Sequence, residues 1–533
     1  MPLVSSFLNF ANDGLDILQG ILPYSIKEHA TLLSLCCSTL VIWRLCRFHV
    51  ARIIYPDDPL EIPYWIPIVG HLFSFFGDSN TLLTKATRCS GKSRDPYALT
   101  VAGMKTYVIT NAEHAGQVYR NTESFSYEEF VRSMMHILGN SEVSVKAMFT
   151  PLPKDKEGFP NPHGKPLGLL FRQMHIKQLF PGPNLSHLEN RFYEFFDQNL
   201  ELSMLGKVCP YAQSRTSDRI VLPLTKWCSD FFCKSGQAAY FGPRLAEIDT
   251  GLTNAFITFD DLSYQVIYQY PRLLSRSMLA ARDRVINGLR QYLQLPHDQR
   301  SEDVWFVKAM ESEMRAIGLS AEDMAIATMT IYWAINTNSR KAAFWMLAHL
   351  LETPALMDVV RQETASAFRE NGTVDLEHLH SAVPNFDAMW NEMLRMSAFS
   401  ASVRYITADT AVGNKILRKG NRLIIPYRQL HMDPSVFGDG VDRFKHDRFL
   451  KNPRLAQGSS FRPFGGGTTM CPGHFIAKRA VYLFTAIILH RFEVKVVGER
   501  QSLEPDLTRP VPGLMSQKDG QELFVELSRR RKD

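Results

Sequence analysis

Residues 461–475 read Phe461-Arg-Pro-Phe-Gly-Gly-Gly-Thr-Thr-Met-Cys-Pro-Gly-His-Phe475. Three successive glycines, Gly465–Gly467, have no Cβ and let the backbone pass close to a flat ligand. Cys471 follows, and the apolar run after it predicts a helix from about Cys471 towards His490. Free N–H groups and the macrodipole at a helix head stabilise an anion, so Cys471 is placed to be a thiolate. Gly473 leaves room beside the sulfur. A purely structural cysteine would explain neither the three glycines nor the helix-head position.

A thiolate under a large planar cofactor is the arrangement of a haem-thiolate iron. The segment resembles the haem-binding signature of the cytochrome P450 family, Phe-x-x-Gly-x-x-x-Cys-x-Gly, with Phe464, Gly467, Cys471 and Gly473 at the fixed positions. A chance match in a chain of this composition has a probability of about 0.002. The resemblance implies that Cys471 is the axial ligand of haem b. Two further matches flank the loop in the family's order. Glu392-Met-Leu-Arg395 is similar to the Glu-x-x-Arg pair, whose i, i+3 spacing puts both side chains on one helix face. Phe444-Lys-His-Asp-Arg-Phe449 resembles Phe-x-Pro-x-Arg-Phe, with His446 in place of proline. The resemblance therefore implies a buried Glu392–Arg395–Arg448 network. It also implies that Arg404 and Arg462 hold the haem propionates, because Thr469 replaces an arginine or histidine common two residues before the cysteine.

The clearest predicted helix starts at the capping-box-like Ser320-Ala-Glu-Asp323 and ends at Thr353-Pro354. Residues 324–339 carry no charge, which places this helix in the protein centre. Its Trp333-Ala-Ile-Asn-Thr-Asn338 matches a family stretch that commonly reads Ala/Gly-Gly-x-Asp/Glu-Thr-Thr and delivers protons to bound oxygen. Asn336 stands for the acid and Asn338 for the second alcohol, while Thr337 remains. An amide orients water but does not relay a proton as a carboxylate does. Thr337 with ordered water is thus expected to carry oxygen activation beside Asn336. Together with Ala342-Ala-Phe-Trp-Met346, the pattern is similar to the branch of prostacyclin synthase and the sterol 7α- and 12α-hydroxylases.

Elsewhere, Tyr97–Val101 and Thr106–Thr110 predict a hairpin around Ala102–Lys105. Residues 145–170 predict a loop, and 185–310 are helical in tone without a motif. Further helices are expected at 355–369 and 385–396, then an extended region, Val403–Pro426, turning at Arg418–Asn421. Near the N-terminus, residues 30–46 form an apolar stretch of about 25 Å as a helix, followed by Arg44, Arg47 and Arg52. The positive-inside bias orients the body to the cytosol. Residues 1–29 are then lumenal, 30–46 the transmembrane anchor, 47–71 a stiff proline-rich strap (Pro56, Pro59, Pro63, Pro67) and 72–533 the catalytic domain.

Composition excludes other classes. The 533 residues are 45% hydrophobic and 21% charged, with a net charge of +6. Such a chain is not disordered, and its scattered basic residues give no nucleic-acid footprint. The eight cysteines form no CxxC pair or zinc spacing and suit a reducing compartment. The sequons at Asn184 and Asn371 would then face the cytosol unglycosylated.

The resemblance implies a mainly α fold with small β-sheets, the cytochrome P450 fold. It implies a monooxygenase of the endoplasmic reticulum membrane acting on a lipophilic small molecule such as a terpenoid or steroid. Electrons would come from NADPH through a flavoprotein reductase, with cytochrome b5 as a second donor. Asn336 raises an alternative, an isomerase or dehydratase that uses a peroxide without a reductase. A non-catalytic haem-binding protein is the other class.

Overall fold

In the computed structural model, Tyr24–Leu45 form the first of the described helices, α1. The structure describes residues 24–154, 158–498, 503–508 and 511–530. Most of the expected lumenal segment, and the basic tail beyond Arg530, lie outside them. The helix does not stop at residue 46. It continues through a π-helical turn, Cys46–Val50, to Ile54. The apolar helix His29–Ile54 spans 26 residues, about 39 Å at 1.5 Å per residue. That exceeds the roughly 30 Å hydrocarbon core of a bilayer, whereas the span read from the sequence falls short of it. The helix takes up residues 47–54 of the expected strap, and the rest alternates turns with the short strand Leu60–Glu61. The strap is pinned to the helix by Trp43, Phe48 and Tyr64, whose rings meet at 5.0–5.9 Å. Arg44 lies 4.1 Å over the Trp65 ring.

A six-stranded sheet follows, built from Leu60–Glu61 (β1), Tyr97–Val101 (β2), Met104–Val108 (β3), Phe125–Ser126 (β4), Ala401–Ile406 (β5) and Arg422–Pro426 (β6). Its order is β1-β2-β3-β6-β5-β4. The β2–β3 turn is tighter than the sequence suggests. Val101 pairs with Met104, and Ala102 and Gly103 both take positive φ, the geometry of a two-residue turn. A smaller sheet joins Arg219–Pro223 to Phe492–Val497 and Phe524–Arg529.

Helices make up most of the body. Those around the site are Ala112–Arg120 (α2), Glu128–Leu138 (α3), Leu167–Leu179 (α4), Leu224–Phe241 (α5), Leu252–Asp261 (α6), Ala321–Glu352 (α7), Pro384–Ser397 (α8) and His474–Arg491 (α9). Ser320 caps α7 by accepting the Asp323 N–H. The uncharged stretch of α7 runs through the main hydrophobic core, packed against α5 and α9. The segment 145–170 is less open than expected, since Glu142–Met148 is helical.

Candidate functional site

The 461–475 loop folds back on itself before α9. The Cys471 N–H donates to the Phe464 carbonyl at 2.9 Å, and Gly465 and Gly467 take φ of +84° and +60°, a region open to glycine. The glycines also answer to protein neighbours. A Cβ on Gly466 or Gly467 would lie 2.9 Å from Tyr119 of α2, and one on Gly465 would lie 3.1 Å from the Tyr427 hydroxyl. The loop therefore presses against two phenol rings on the side where side chains would project. A Cβ on Gly473 would meet the Cys471 sulfur at 3.6 Å, an ordinary contact, so steric room is not what Gly473 supplies. Its N–H does more, bonding the sulfur and favouring the thiolate.

Cys471 precedes α9, which begins at His474. Its side chain is exposed, yet surrounding protein desolvates it and pushes its thiol pKa up, against the pull of the Gly473 N–H. Surface that is accessible but enclosed by protein is the wall of a cleft. The helix head alone does not hold a thiolate here; a bound metal ion would, because coordination deprotonates a thiol outright.

The same cleft region carries cations without anions. Arg404 of β5 is buried, and burial lowers its pKa. Its guanidinium donates to Ser402, to the Val403 carbonyl and to Thr469, with no carboxylate partner among the described residues. Arg462 lies 5.1 Å over the Tyr119 ring, and its buried Nε has no partner. A buried cation is costly unless paired. A dianionic cofactor that brings carboxylates to this wall and an iron to Cys471 fits these residues, and haem is such a group.

Across the core, α7 carries the residues expected to activate oxygen. Thr337 is buried, and its hydroxyl donates to Asp260 of α6 at 2.6 Å. Asn336 is buried too; its Nδ2 donates to the Tyr332 carbonyl and its Oδ1 would touch a Cβ on Gly236 of α5. Both side chains turn into helix packing. Along the middle of α7, residues 324–348, the accessible positions are Thr330, Ala334, Ile335, Asn338 and Ser339. Of these, Thr330, Ala334 and Asn338 repeat every four residues and form one face. Asn338 Oδ1 accepts the Leu514 N–H at 2.8 Å. Gly513 permits that contact, since a Cβ there would fall 1.8 Å from the same oxygen.

Asp260 is the centre of a buried cluster. It accepts hydrogen bonds from Trp333 Nε1 at 2.7 Å, from Thr337, and from Arg340 through Nε and Nη2. Lys341 Nζ lies 3.6 Å away. Burial alone would raise its pKa, but Lys341 and Arg340 outweigh that and hold it well below the usual carboxylate range. Near the haem loop, Glu392 and Arg395 of α8 pair through two bonds of 2.8 Å, and Arg448 Nε bonds both Glu392 oxygens at 3.2 Å. Arg395 also reaches the Val441 and His431 carbonyls, and Arg448 the Phe437 and Gly440 carbonyls. Every charge in this triad is therefore paired. His446 does not interrupt it, because the neighbouring Lys445 N–H also donates to Glu392.

The model of the cytochrome P450 family matches residues 224–524. A cytochrome P450 monooxygenase of Penicillium oxalicum, poxD, is 24% identical over 470 residues, covering 86% of this chain and 92% of that protein. Cytochrome P450 7B1 of Mus musculus is 22% identical, covering 84% of this chain and 86% of its own. Cholesterol 7-alpha-monooxygenase of Cricetulus griseus is 23% identical over 350 residues, covering 60% of this chain and 68% of its own.

Proposed function

Since the chain belongs to the cytochrome P450 family and is a monooxygenase of it, we propose that it is membrane-anchored and oxidises a lipophilic small molecule. Cys471 would hold the haem iron through its sulfur. The enclosed, accessible thiol opposite buried arginines without acids carries this reading. Haem iron bound there supplies the activation of dioxygen, with electrons from NADPH through a flavoprotein reductase.

The chain's own residues bind, orient and exclude water. Arg404 and Arg462 balance the cofactor's carboxylates, while Phe464, Gly467 and Gly473 shape the loop that carries the sulfur. Asn338 takes the orienting role in place of Thr337 and Asn336. Its Oδ1 is held by Leu514, which leaves Nδ2 to donate towards an oxygen atom or water on the accessible face. Sterol and fungal monooxygenase relatives support a terpenoid or steroid substrate. The helix His29–Ile54, with Arg44, Arg47 and Arg52 all in its C-terminal half, supports attachment to the endoplasmic reticulum with a cytosolic body.

Wild-type protein, reduced under carbon monoxide, is expected to show a long-wavelength thiolate-type Soret band that Cys471→Ser lacks. A variant that keeps this band and turnover refutes the assignment. A second reading, isomerisation of a peroxide without reductase, is favoured by the absence of a carboxylate on the Thr330–Ala334–Asn338 face. Product formation that stops when NADPH is withheld excludes it.

A further inference from the structure

Tyr127 sits where β4 leads into α3. Its backbone position is fixed by the pairing of Phe125 and Ser126 with Ile406 and Tyr405 of β5, the strand that carries Arg404. The consequence is a stacked pair, with the Arg404 guanidinium 4.9 Å from the Tyr127 ring centroid. Tyr127 keeps 40% of its surface accessible. Protein nevertheless encloses it, and burial pushes its phenol pKa up, with Arg404 opposing and the Cys471 charge adding. Through Arg404, whose guanidinium donates to Thr469 two residues before Cys471, Tyr127 stands on the side of the cysteine loop.

Three phenols surround the arginine wall. Tyr119 and Tyr427 use their hydroxyls on each other, at 3.0 Å. The Tyr127 hydroxyl has no protein partner among the described residues. Arg404 uses three of its five donors on Ser402, Val403 and Thr469, and the Thr469 hydroxyl donates its own hydrogen bond to the Gly466 carbonyl. The wall is thus rich in positive charge, while its free neutral donor is the phenol of Tyr127.

We propose that Tyr127 is a cofactor-positioning residue, whose hydroxyl donates a hydrogen bond to a haem carboxylate while its ring keeps Arg404 aimed at the same group. This rests on the haem-thiolate reading above. No covalent or redox step is involved; the phenol stays protonated.

The experiment uses full-length protein in detergent, wild type against Tyr127→Phe, which keeps the ring on Arg404 and removes only the hydroxyl. Haem transfer to excess apomyoglobin is followed, and the propionate bending bands are read by resonance Raman. Losing one hydrogen bond to a charged group is expected to speed transfer roughly tenfold and to shift a propionate band, with the thiolate-type carbon monoxide band retained. Unchanged transfer and unchanged propionate bands overturn the proposal. So does a variant that changes only the spectral response to added steroids or terpenoids, which would place the hydroxyl on the substrate side. A wild type without the thiolate-type band refutes the parent reading instead.

Discussion

Replacing Asp260 by asparagine tests the buried cluster between α6 and α7 with almost no change in shape. The amide oxygen can still accept from Trp333 and Thr337. Its NH2 cannot accept from Arg340, so two charge-assisted bonds are lost. Arg340 keeps Asp261 at 2.5 Å, but that carboxylate is half exposed. Lys341 loses the carboxylate nearest to it. Breaking a buried pair this way costs roughly 3–5 kcal/mol. Lys341 sets a ceiling on its own share, because it can deprotonate instead. From an ordinary lysine pKa to pH 7 that costs about 4.6 kcal/mol.

The pH dependence follows from signs. Burial already lowers the Lys341 pKa, with Asp260 opposing. Without Asp260 it falls further, so the variant's deficit is largest between the carboxylate range and neutral pH and shrinks as pH rises towards 10. In the wild type the depressed Asp260 pKa gives stability that is present above the unfolded carboxylate range and lost on acidification. With an unfolding entropy near 2.1 cal/mol/K per residue, a loss of 3–5 kcal/mol lowers the melting temperature of a chain this long by about 3–5 °C. Thermal unfolding of the detergent-solubilised pair at pH 7 and pH 9 reads both effects. Equal melting temperatures at pH 7 would refute the reasoning, and a deficit that does not narrow at pH 9 would remove Lys341 from it. Asp261→Asn, at an exposed pair, should cost no more than about 1 kcal/mol.

Arg395→Ala leaves Glu392 and Arg448 buried beside a void, a loss of roughly 3–5 kcal/mol. That rivals a typical domain stability of roughly 5–15 kcal/mol, so little haem-loaded protein should be recovered; normal haem content would show that the triad is not required. Gly513→Ala must push Asn338 off Leu514. It should raise NADPH consumed per product several-fold while melting changes little, and unaltered coupling would take Asn338 out of oxygen handling. Deleting residues 1–42 keeps the Trp43–Phe48–Tyr64 contact and should move the protein from membrane to soluble fractions with its haem spectrum intact. Loss of that spectrum would mean that α1 belongs to the core.

What was legible in the sequence was contiguous. The cysteine loop, the Glu392–Arg395 spacing, the Ser320 cap and the apolar N-terminal run each fit within one short window, and local chemistry determines them. The Asp260 cluster joins residues 73–80 positions apart, and nothing around Asp260 marks it. A signal did exist on the other side. Arg340 and Lys341 follow directly on the uncharged stretch 324–339, and two buried cations require an acid from elsewhere. Gly513 gave no signal, because its constraint is a contact with a side chain 175 residues earlier. The enclosed phenol of Tyr127 was equally silent, since only strand pairing brings it beside Arg404.

The Thr337–Asn338 pair shows why a motif match alone does not fix a role. One residue along an α-helix turns the side chain by about 100°, so Thr337 and Asn338, adjacent in the motif, face different surroundings. Which of them meets the accessible space depends on the rotation of α7 about its axis. Trp333, Thr337 and Arg340 stand at i, i+4 and i+7, one stripe of the helix, and all three bond Asp260. Thr330, Ala334 and Asn338 form another stripe, offset by roughly a quarter turn or more. A single buried carboxylate from α6 therefore sets the helix rotation that presents Asn338, and it takes Thr337 out of reach in doing so. Weakening that anchor should loosen the facing of Asn338 along with the fold. Asp260→Asn ought accordingly to raise NADPH consumption per product in the protein that still folds, whereas Asp261→Asn, on the exposed side of Arg340, ought to leave it alone.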